Sequence, residues 1–464
     1  MKATQVVKII PALWILAAIQ TPGRAQTWSV LYNFGTNASD PLWSREIGAI
    51  VEGRDGSLYS TSNQGGTQGR GTVYKIAPDG KLTVLYNFDT VHGAGPQSGL
   101  TLGSDGNFYG TTYGGGAKGG GTIFKVTPEG ALTVLYSFQN GNDGSYPISP
   151  PVQGRDGNFY GVTTYANNQQ YGAVYKVTPA GAFTLLYTFK YGDIANVGTF
   201  GSSLIAASDG NFYGTTFKGG TGYGTVFKIT PNGSISALHK FDGAHGAQAY
   251  NLMQASDGNL YGTCYSGGSA NFGLVYKLTL AGEFTVLHNF AGTDGASPAA
   301  GLVEGTDGNL YGATKYGGTG SRGVLYRIGK SGADFKVLYN RNINMTEGMY
   351  CVQTPVQHTN GKLYGCTYQG GSKGGGVFYS LDAGLKPSCV LTPTSGKVGA
   401  SVGLIGQGLA GTTGVTFNGT AAKFTVVSDT YLTVTVPAGA MSGSIQVTTP
   451  KGTLNSVGAF QVLP

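Results

Sequence analysis

Charge is scarce in this chain: Asp, Glu, Lys and Arg make up 11% of its 464 residues, and histidine occurs five times. So few ionisable groups leave no basic stripe to follow a nucleic-acid backbone. A formal charge of +7 over this length, with a pI near 9.0, gives only a weak attraction to acidic surfaces. Cysteine is equally sparse, at Cys264, Cys351, Cys366 and Cys389, and none has zinc-ligand spacing. No phosphate loop or dinucleotide fingerprint stands before a helix, and no acidic run is dense enough for a calcium loop. His92, His239, His245, His288 and His358 are scattered, with no repeated His-x-Glu or His-x-x-x-His pair. Without a positioned base, nucleophile or metal cluster, neither catalysis nor a cofactor or metal is expected.

Long apolar runs are also missing, apart from one near the start. Lys2 and Lys8 precede a largely apolar stretch from Ile9 to Ile19, and Gly23-Arg24-Ala25 offers small residues for cleavage. Pro11 and Gln20 bracket only about half of the roughly 20 apolar residues that a membrane span needs. Residues 1–25 therefore read as a cleaved secretory signal, with a mature start at Gln26 and a location that is secreted or at the cell surface.

Glycine and aromatics are abundant: 81 Gly, 29 Tyr and 21 Phe, which suits short aromatic strands joined by tight turns. An Asp-Gly-Asn-Phe-Tyr type motif begins at Asp55, Asp105, Asp156, Asp209, Asp257 and Asp307, and in degenerate form at Asn360. The spacings are 50, 51, 53, 48, 50 and 53 residues. Seven copies of about 50 residues, each dividing into four short strands, predict a seven-bladed β-propeller. In the second copy the strands are expected at 99–102, 108–113, 122–127 and 132–138, with Asp-Gly and Pro-x-Gly turns between strands one and two and strands three and four.

The ends of the array are complementary. Ser29-Val30-Leu31-Tyr32-Asn33-Phe34 nearly copies the fourth strand Thr83 to Phe88 but precedes every other repeat element, whereas the last repeat stops after Gly376-Val377-Phe378-Tyr379. An N-terminal strand completing blade seven closes the ring and removes two exposed sheet edges. Cys264 and Cys366 fall in strands of non-adjacent repeats, so a bond between them is disfavoured. Pairing of Cys351 with Cys366 or Cys389 is geometrically easier, and burial of all four as small hydrophobes is an equal alternative.

The unit running from Asp105 through Gly116, Gly121 to Gly130 and Leu132 to Phe138 resembles the GloVer tandem repeats of bacterial secreted choice-of-anchor proteins. The resemblance covers about residues 27 to 385, with departures at Arg341 and Asn360-Gly361, and it implies an extracytoplasmic repeat protein. After Leu385 the pattern changes. Thr392-Pro393, Ile405-Gly406-Gln407-Gly408, Val415-Thr416-Phe417-Asn418-Gly419, Val434-Thr435-Val436-Pro437 and Gly443 to Thr448 resemble an IPT/TIG domain. The expected organisation is a signal at 1–25, a propeller at 26–385 and an immunoglobulin-like β-sandwich at 386–464; in secreted proteins the last resemblance implies a spacer or adhesive module.

The Asp-Gly and Pro-x-Gly turns fall on one propeller face and barely vary. Loops between strands two and three and between blades emerge on the other face and carry nearly all the variation, which makes that face the expected binding surface. Its candidate ligand residues are Trp43, Arg45, His92, Asp143, Tyr146, Asp193, His245 and Asp294, aromatics beside polar groups as a sugar or peptide site needs. Ordinary turn chemistry is the competing reading, since Asp143-Gly144 and Asp294-Gly295 are common turn pairs. The basic series Lys75, Lys125, Lys176, Lys228, Lys277 and Arg327, interrupted by Ser380, reads as a structural edge before it reads as an anion site. The repeated Tyr of the second strands reads as packing. Together these features predict a monomeric, non-enzymatic binding or adhesion scaffold whose partner is a glycan or cell-surface protein. The alternatives are a propeller lyase, requiring His92, His245 and an acid to converge over the channel, and a structural surface component.

Overall fold

The computed structural model describes residues 26–42, 50–166, 171–190, 203–341 and 344–464. Within them the chain is all-β: seven four-stranded antiparallel sheets followed by an eight-stranded sheet and a two-stranded ribbon, with a second short ribbon near the N-terminus. The sheets follow the repeat. Blade two, for example, comprises Thr101–Leu102, Phe108–Thr112, Thr122–Val126 and Leu132–Ser137 in sequential antiparallel order, close to the expected strand limits. Blade seven pairs Val356–Gln357, Leu363–Cys366 and Val377–Asp382, and its fourth strand is the N-terminal Thr27–Asn33. The one-plus-three closure read from the sequence is therefore present.

The blades pack through their repeated residues. The second-strand tyrosines Tyr59, Tyr109, Tyr160, Tyr213, Tyr261 and Tyr311 are buried, and each hydroxyl donates to the Asp of its own Asp-Gly turn at 2.8 to 2.9 Å. Tyr59 stacks on Phe108 of the next blade at 4.0 Å, and Tyr109 on Phe159 at 3.7 Å. The basic series lies opposite these tyrosines across the second and third strands. Lys75 reaches Asp55 at 3.0 Å and Lys228 reaches Asp209 at 3.2 Å, so in blades one and four the recurrent charge is paired within its own blade. Blade seven has Asn360 in place of the Asp and Ser380 in place of the Lys, so both partners of the pair are absent together.

A second packing device is invisible in composition. Between strands three and four all seven blades carry a one-residue bulge, at Leu135 in blade two, where Tyr136 faces Ile123 and Val134 faces Phe124. The bulged carbonyl of one blade then meets the Pro-x-Gly turn of the next. A Cβ on Gly130 would sit 2.5 Å from the Leu85 carbonyl oxygen, and one on Gly181 would sit 2.8 Å from that of Leu135. Glycine is required there both for the left-handed φ, +97° at Gly130, and for the close approach.

The C-terminal strands form a curled sheet consistent with an immunoglobulin-like sandwich. Ser388–Thr392 joins its two halves, pairing in parallel with Gly452–Ser456 through Ser388 and Cys389 and antiparallel with Ser401–Ile405 through Val390 to Thr392. Alternating residues of these strands, including Val402, Leu404, Val415, Phe417, Leu432, Val434, Ile445 and Val447, fill one core. All four cysteines are free and buried.

Candidate functional site

The loop-rich propeller face is built by two segments of each repeat: the turn after the second strand and the chain entering the next first strand. The lead-in segment carries a recurrent left-handed residue, Gly95, Tyr146, Gln248, Ser297 and Tyr350, with φ of +51° to +60°. Non-glycine residues pay strain in this region, and here backbone bonds to the preceding blade hold it. Tyr146 N–H donates to the Gly120 carbonyl, Gln248 to Tyr223 and Ser297 to Phe272, each at 2.8 Å.

That geometry turns selected lead-in side chains against aromatics of adjacent second strands. Tyr146 stacks on Tyr113 of the preceding blade, with ring centroids 4.9 Å apart, and meets Tyr165 edge-on at 5.3 Å. Tyr250 lies between Phe217 at 6.3 Å and Tyr265 at 5.7 Å. Tyr350 meets Tyr316 at 5.4 Å, and its hydroxyl accepts from Arg322 at 3.2 Å. Lys315 bridges two of these groups, its ammonium 5.9 Å from the Tyr265 ring and 5.5 Å from the Tyr316 ring. Tyr250, Ala299 and Val352, the corresponding lead-in positions of blades five to seven, form a buried apolar floor beneath them. Most of the rings are half-buried and Tyr316 is exposed, so they present faces and edges to solvent over a rigid base. Val91, Tyr223, Phe272 and Met345 add exposed apolar side chains on neighbouring loops of this face.

Of the residues expected from sequence, Tyr146 belongs to this aromatic tier. Trp43, Arg45 and Asp193 lie outside the described residues, as does the expected signal segment. Asp143 and Asp294 close the loops that follow strand four. Asp143 accepts the Tyr136 hydroxyl at 2.8 Å and the Gln139 N–H at 2.9 Å, while Asp294 bonds the His288 ring at 2.9 Å and the Ala291 N–H at 2.8 Å. His92 and His245 follow a variant of the same closure, each bonded through backbone N–H and Nδ1 to an aspartate three residues earlier, Asp89 and Asp242. These bonds hold both aspartate carboxyls below their usual range. The two exposed histidines follow blades one and four respectively and do not share a loop. No group of three or more His, Cys, Asp or Glu is gathered to hold a metal among the described residues.

Sequence reading missed Tyr113, Tyr165, Tyr250, Tyr265, Lys315, Tyr316 and Tyr350. Register alignment of the copies holds the signal that could have found them. Five residues past the start of the second strand stand Asn63, Tyr113, Thr164, Phe217, Tyr265, Lys315 and Tyr368, variable beside turns that barely change, which marks Tyr113, Tyr265 and Lys315 among them.

The second-to-third strand loops and the blade-to-blade loops thus crown a closed seven-bladed propeller of tandem repeats. The chain belongs to the Gloeobacter/Verrucomicrobia repeat family, whose model matches residues 19–221 and 199–430. No curated protein matches it. Among solved structures it is similar to a fungal alcohol oxidase of the AA5 family in complex with copper, with 14% identity and a TM-score of 0.55 over 95% of this chain and 100% of that one. It is also similar to the extracellular domain of a protein described as a hybrid two-component system of B. thetaiotaomicron, with 13% identity and a TM-score of 0.51. That alignment covers 94% of this chain, which spans 58% of the length of that domain. At these identities both likenesses concern the fold. No helix among the described residues is long and apolar enough to cross a membrane.

Proposed function

We propose that this protein is an extracytoplasmic binding scaffold whose loop-rich propeller face takes a glycan. The observation that carries the reading is the set of packed aromatic groups Tyr113/Tyr146/Tyr165, Phe217/Tyr265 on the buried Tyr250, and Tyr316/Tyr350, with Lys315 between the last two and all of these rings but Tyr250 partly or fully exposed. Aromatic faces supply the apolar contact that a sugar ring offers through its C–H side, and Lys315, Arg322 and the tyrosine hydroxyls supply the polar contacts that orient hydroxyl groups. Because the rings are already packed on one another, little side-chain freedom remains to be lost on binding.

In this reading residues 1–25 direct export, the propeller recognises, and the C-terminal sandwich, with its IPT/TIG resemblance, spaces or presents it. The enclosure of His92 and His245 in separate Asp-closed loops favours binding over lyase chemistry. A glycan array probed with residues 26–464 tests the proposal, with a Tyr146→Ala/Tyr350→Ala variant alongside. Glycan binding that the folded variant loses supports it. A blank array for the folded wild-type protein sinks it and leaves the exposed Val91, Tyr223, Phe272 and Met345 as grounds for a protein partner.

A further inference from the structure

The opposite face of the propeller, that of the near-constant turns, is partly covered by the sandwich. Thr430 donates its hydroxyl to the Arg54 carbonyl at 2.7 Å, the Arg54 guanidinium lies 4.6 Å from the Tyr431 ring centroid, and Gln407 bonds Thr359 at 3.0 Å. These contacts fall on blades one and seven. Beside them, where the turns of blades five and six face the sandwich hairpin at residues 449–457, the two bodies diverge and leave an open cavity of about 620 Å³. That lies within the roughly 300 to 1,000 Å³ of small-ligand sites.

The lining mixes apolar and polar surface and carries a net positive charge. Lys386 of the connecting segment and Lys451 of the hairpin both face the cavity, and neither ammonium has a carboxylate within ion-pair distance among the described residues. Glu304, the acidic residue of the lining, is already engaged: it accepts the N–H and hydroxyl of Ser256 and pairs with Lys330. The amides of Asn360 and Gln407 on the walls already donate to Tyr364 and Thr359, the Asn455 amide lies on the hairpin side, and Leu454 and Val457 add apolar surface.

We infer that this cleft is a second binding site, independent of the aromatic face, for an acidic saccharide. Two exposed cations without internal ion-pair partners, set on one cleft, offer contacts to an anionic group. Lysines on two separate segments of an open cleft, with the Asn455 amide and apolar surface along the hairpin, rather than backbone N–H groups converging on one point, suit a polyhydroxylated chain better than a compact phosphate. The ligand would touch propeller, connecting segment and sandwich at once, so its binding also clamps the sandwich against the turn face.

The test is titration of residues 26–464 with an oligomannuronate, a sulfated oligosaccharide and a neutral oligosaccharide of equal length. The expected result is binding of one or both acidic probes and not the neutral one, weakening with added salt; the probe preferred identifies carboxylate or sulfate as the recognised group. Lys386→Ala/Lys451→Ala should weaken binding about tenfold or more, and Asn455→Asp should weaken it through like-charge repulsion. Tyr146→Ala/Tyr350→Ala should leave it unchanged. Failure of both acidic probes to bind, lysine variants that bind as wild type, or loss confined to the tyrosine variant would each overturn the inference. The last of these would assign the acidic saccharide to the loop face instead.

Discussion

The carboxylate of Glu52 in blade one accepts both the backbone N–H, at 2.9 Å, and the hydroxyl of Thr359 in blade seven, across 307 residues of chain. The same carboxylate lies 3.2 Å from the buried His358 ring, whose Nε2 also bonds the Gly56 carbonyl at 2.9 Å, and Gln407 of the sandwich reaches Thr359. Ring closure and sandwich docking therefore share one buried polar knot. Equivalent blade-to-blade bonds run from Ser104 to Gln153, Ser208 to Gln254, Ser256 to Glu304 and Thr306 to Gln357. Where blades two and four have Leu102 and Ala206 instead, Arg54 and Arg155 of the preceding blades reach the Ser104 and Ser208 carbonyls.

Glu52→Ala leaves the buried Thr359 N–H unpartnered, while His358 keeps its bonds to the Gly56 carbonyl and the Asn360 N–H, and it should lower unfolding free energy by about 1 to 3 kcal/mol in denaturant titration. Burial, only partly offset by His358 and the Thr359 bonds, raises the Glu52 pKa above its usual 4.5. A raised folded-state pKa contributes stability that is present below the unfolded value and lost as pH rises through the folded value. Glu52→Gln should therefore flatten that part of the stability profile above pH 4.5 relative to wild type.

The turn aspartates act in the opposite direction. Burial raises the pKa of Asp105, Asp156, Asp209 and Asp257, but bonds from Asn, Tyr and backbone N–H more than offset it and leave each below 3.8. Depressed values contribute stability that is present above the unfolded pKa and lost as pH falls through the folded one. Thermal melts should decline as pH drops below 3.8, and Asp105→Asn should reduce the steepness of that decline.

Gly130 and Gly258 separate backbone conformation from crowding. Both have left-handed φ, +97° and +81°, but a Cβ at Gly258 meets nothing within 4 Å whereas one at Gly130 meets the Leu85 carbonyl. Gly258→Ala should cost about 1 kcal/mol from φ alone. Gly130→Ala should cost about 1 to 3 kcal/mol more, because the bulged strand of the neighbouring blade must shift.

Arg341 occupies the position filled by Phe in the other six fourth strands and is fully buried, its guanidinium 4.7 Å from the Trp28 ring centroid and bonded to Cys351 and the Glu347 carbonyl. Arg341→Ala should destabilise by about 3 to 5 kcal/mol, whereas Arg341→Phe, which restores the repeat residue and removes a buried charge, should be near neutral or stabilising in the same titration.

The propeller was legible because the copies encode their own turns: Asp-Gly in six of them and Pro-x-Gly in the first four specify the reversals locally, and the displaced Ser29 to Phe34 strand announces the closure. Contacts between blades were not legible. Tyr113 and Tyr146 stack across 33 residues only because the lead-in backbone is held left-handed by bonds to the previous blade, which no local pattern encodes. Sandwich docking left traces that were visible but unread. Asn360 and Ser380 break the pattern together, and a Cβ on the adjacent Gly361 would strike the connecting segment at the Leu385 carbonyl, 2.6 Å away, so the turn there is covered rather than exposed. His92, Asp143, His245 and Asp294 stood out by residue type, yet each finds a partner within its own loop or the strand before it, as turn closure requires.

The most direct test of the binding face is hydrogen exchange of residues 26–464 with and without the tightest glycan from the array. The account predicts added protection in the lead-in and second-strand loops around Tyr113, Tyr146, Tyr265 and Tyr350, with the Asp-Gly turns unchanged. Protection confined to the Asp-Gly turns and the sandwich, with the aromatic loops exchanging as in the free protein, would contradict it.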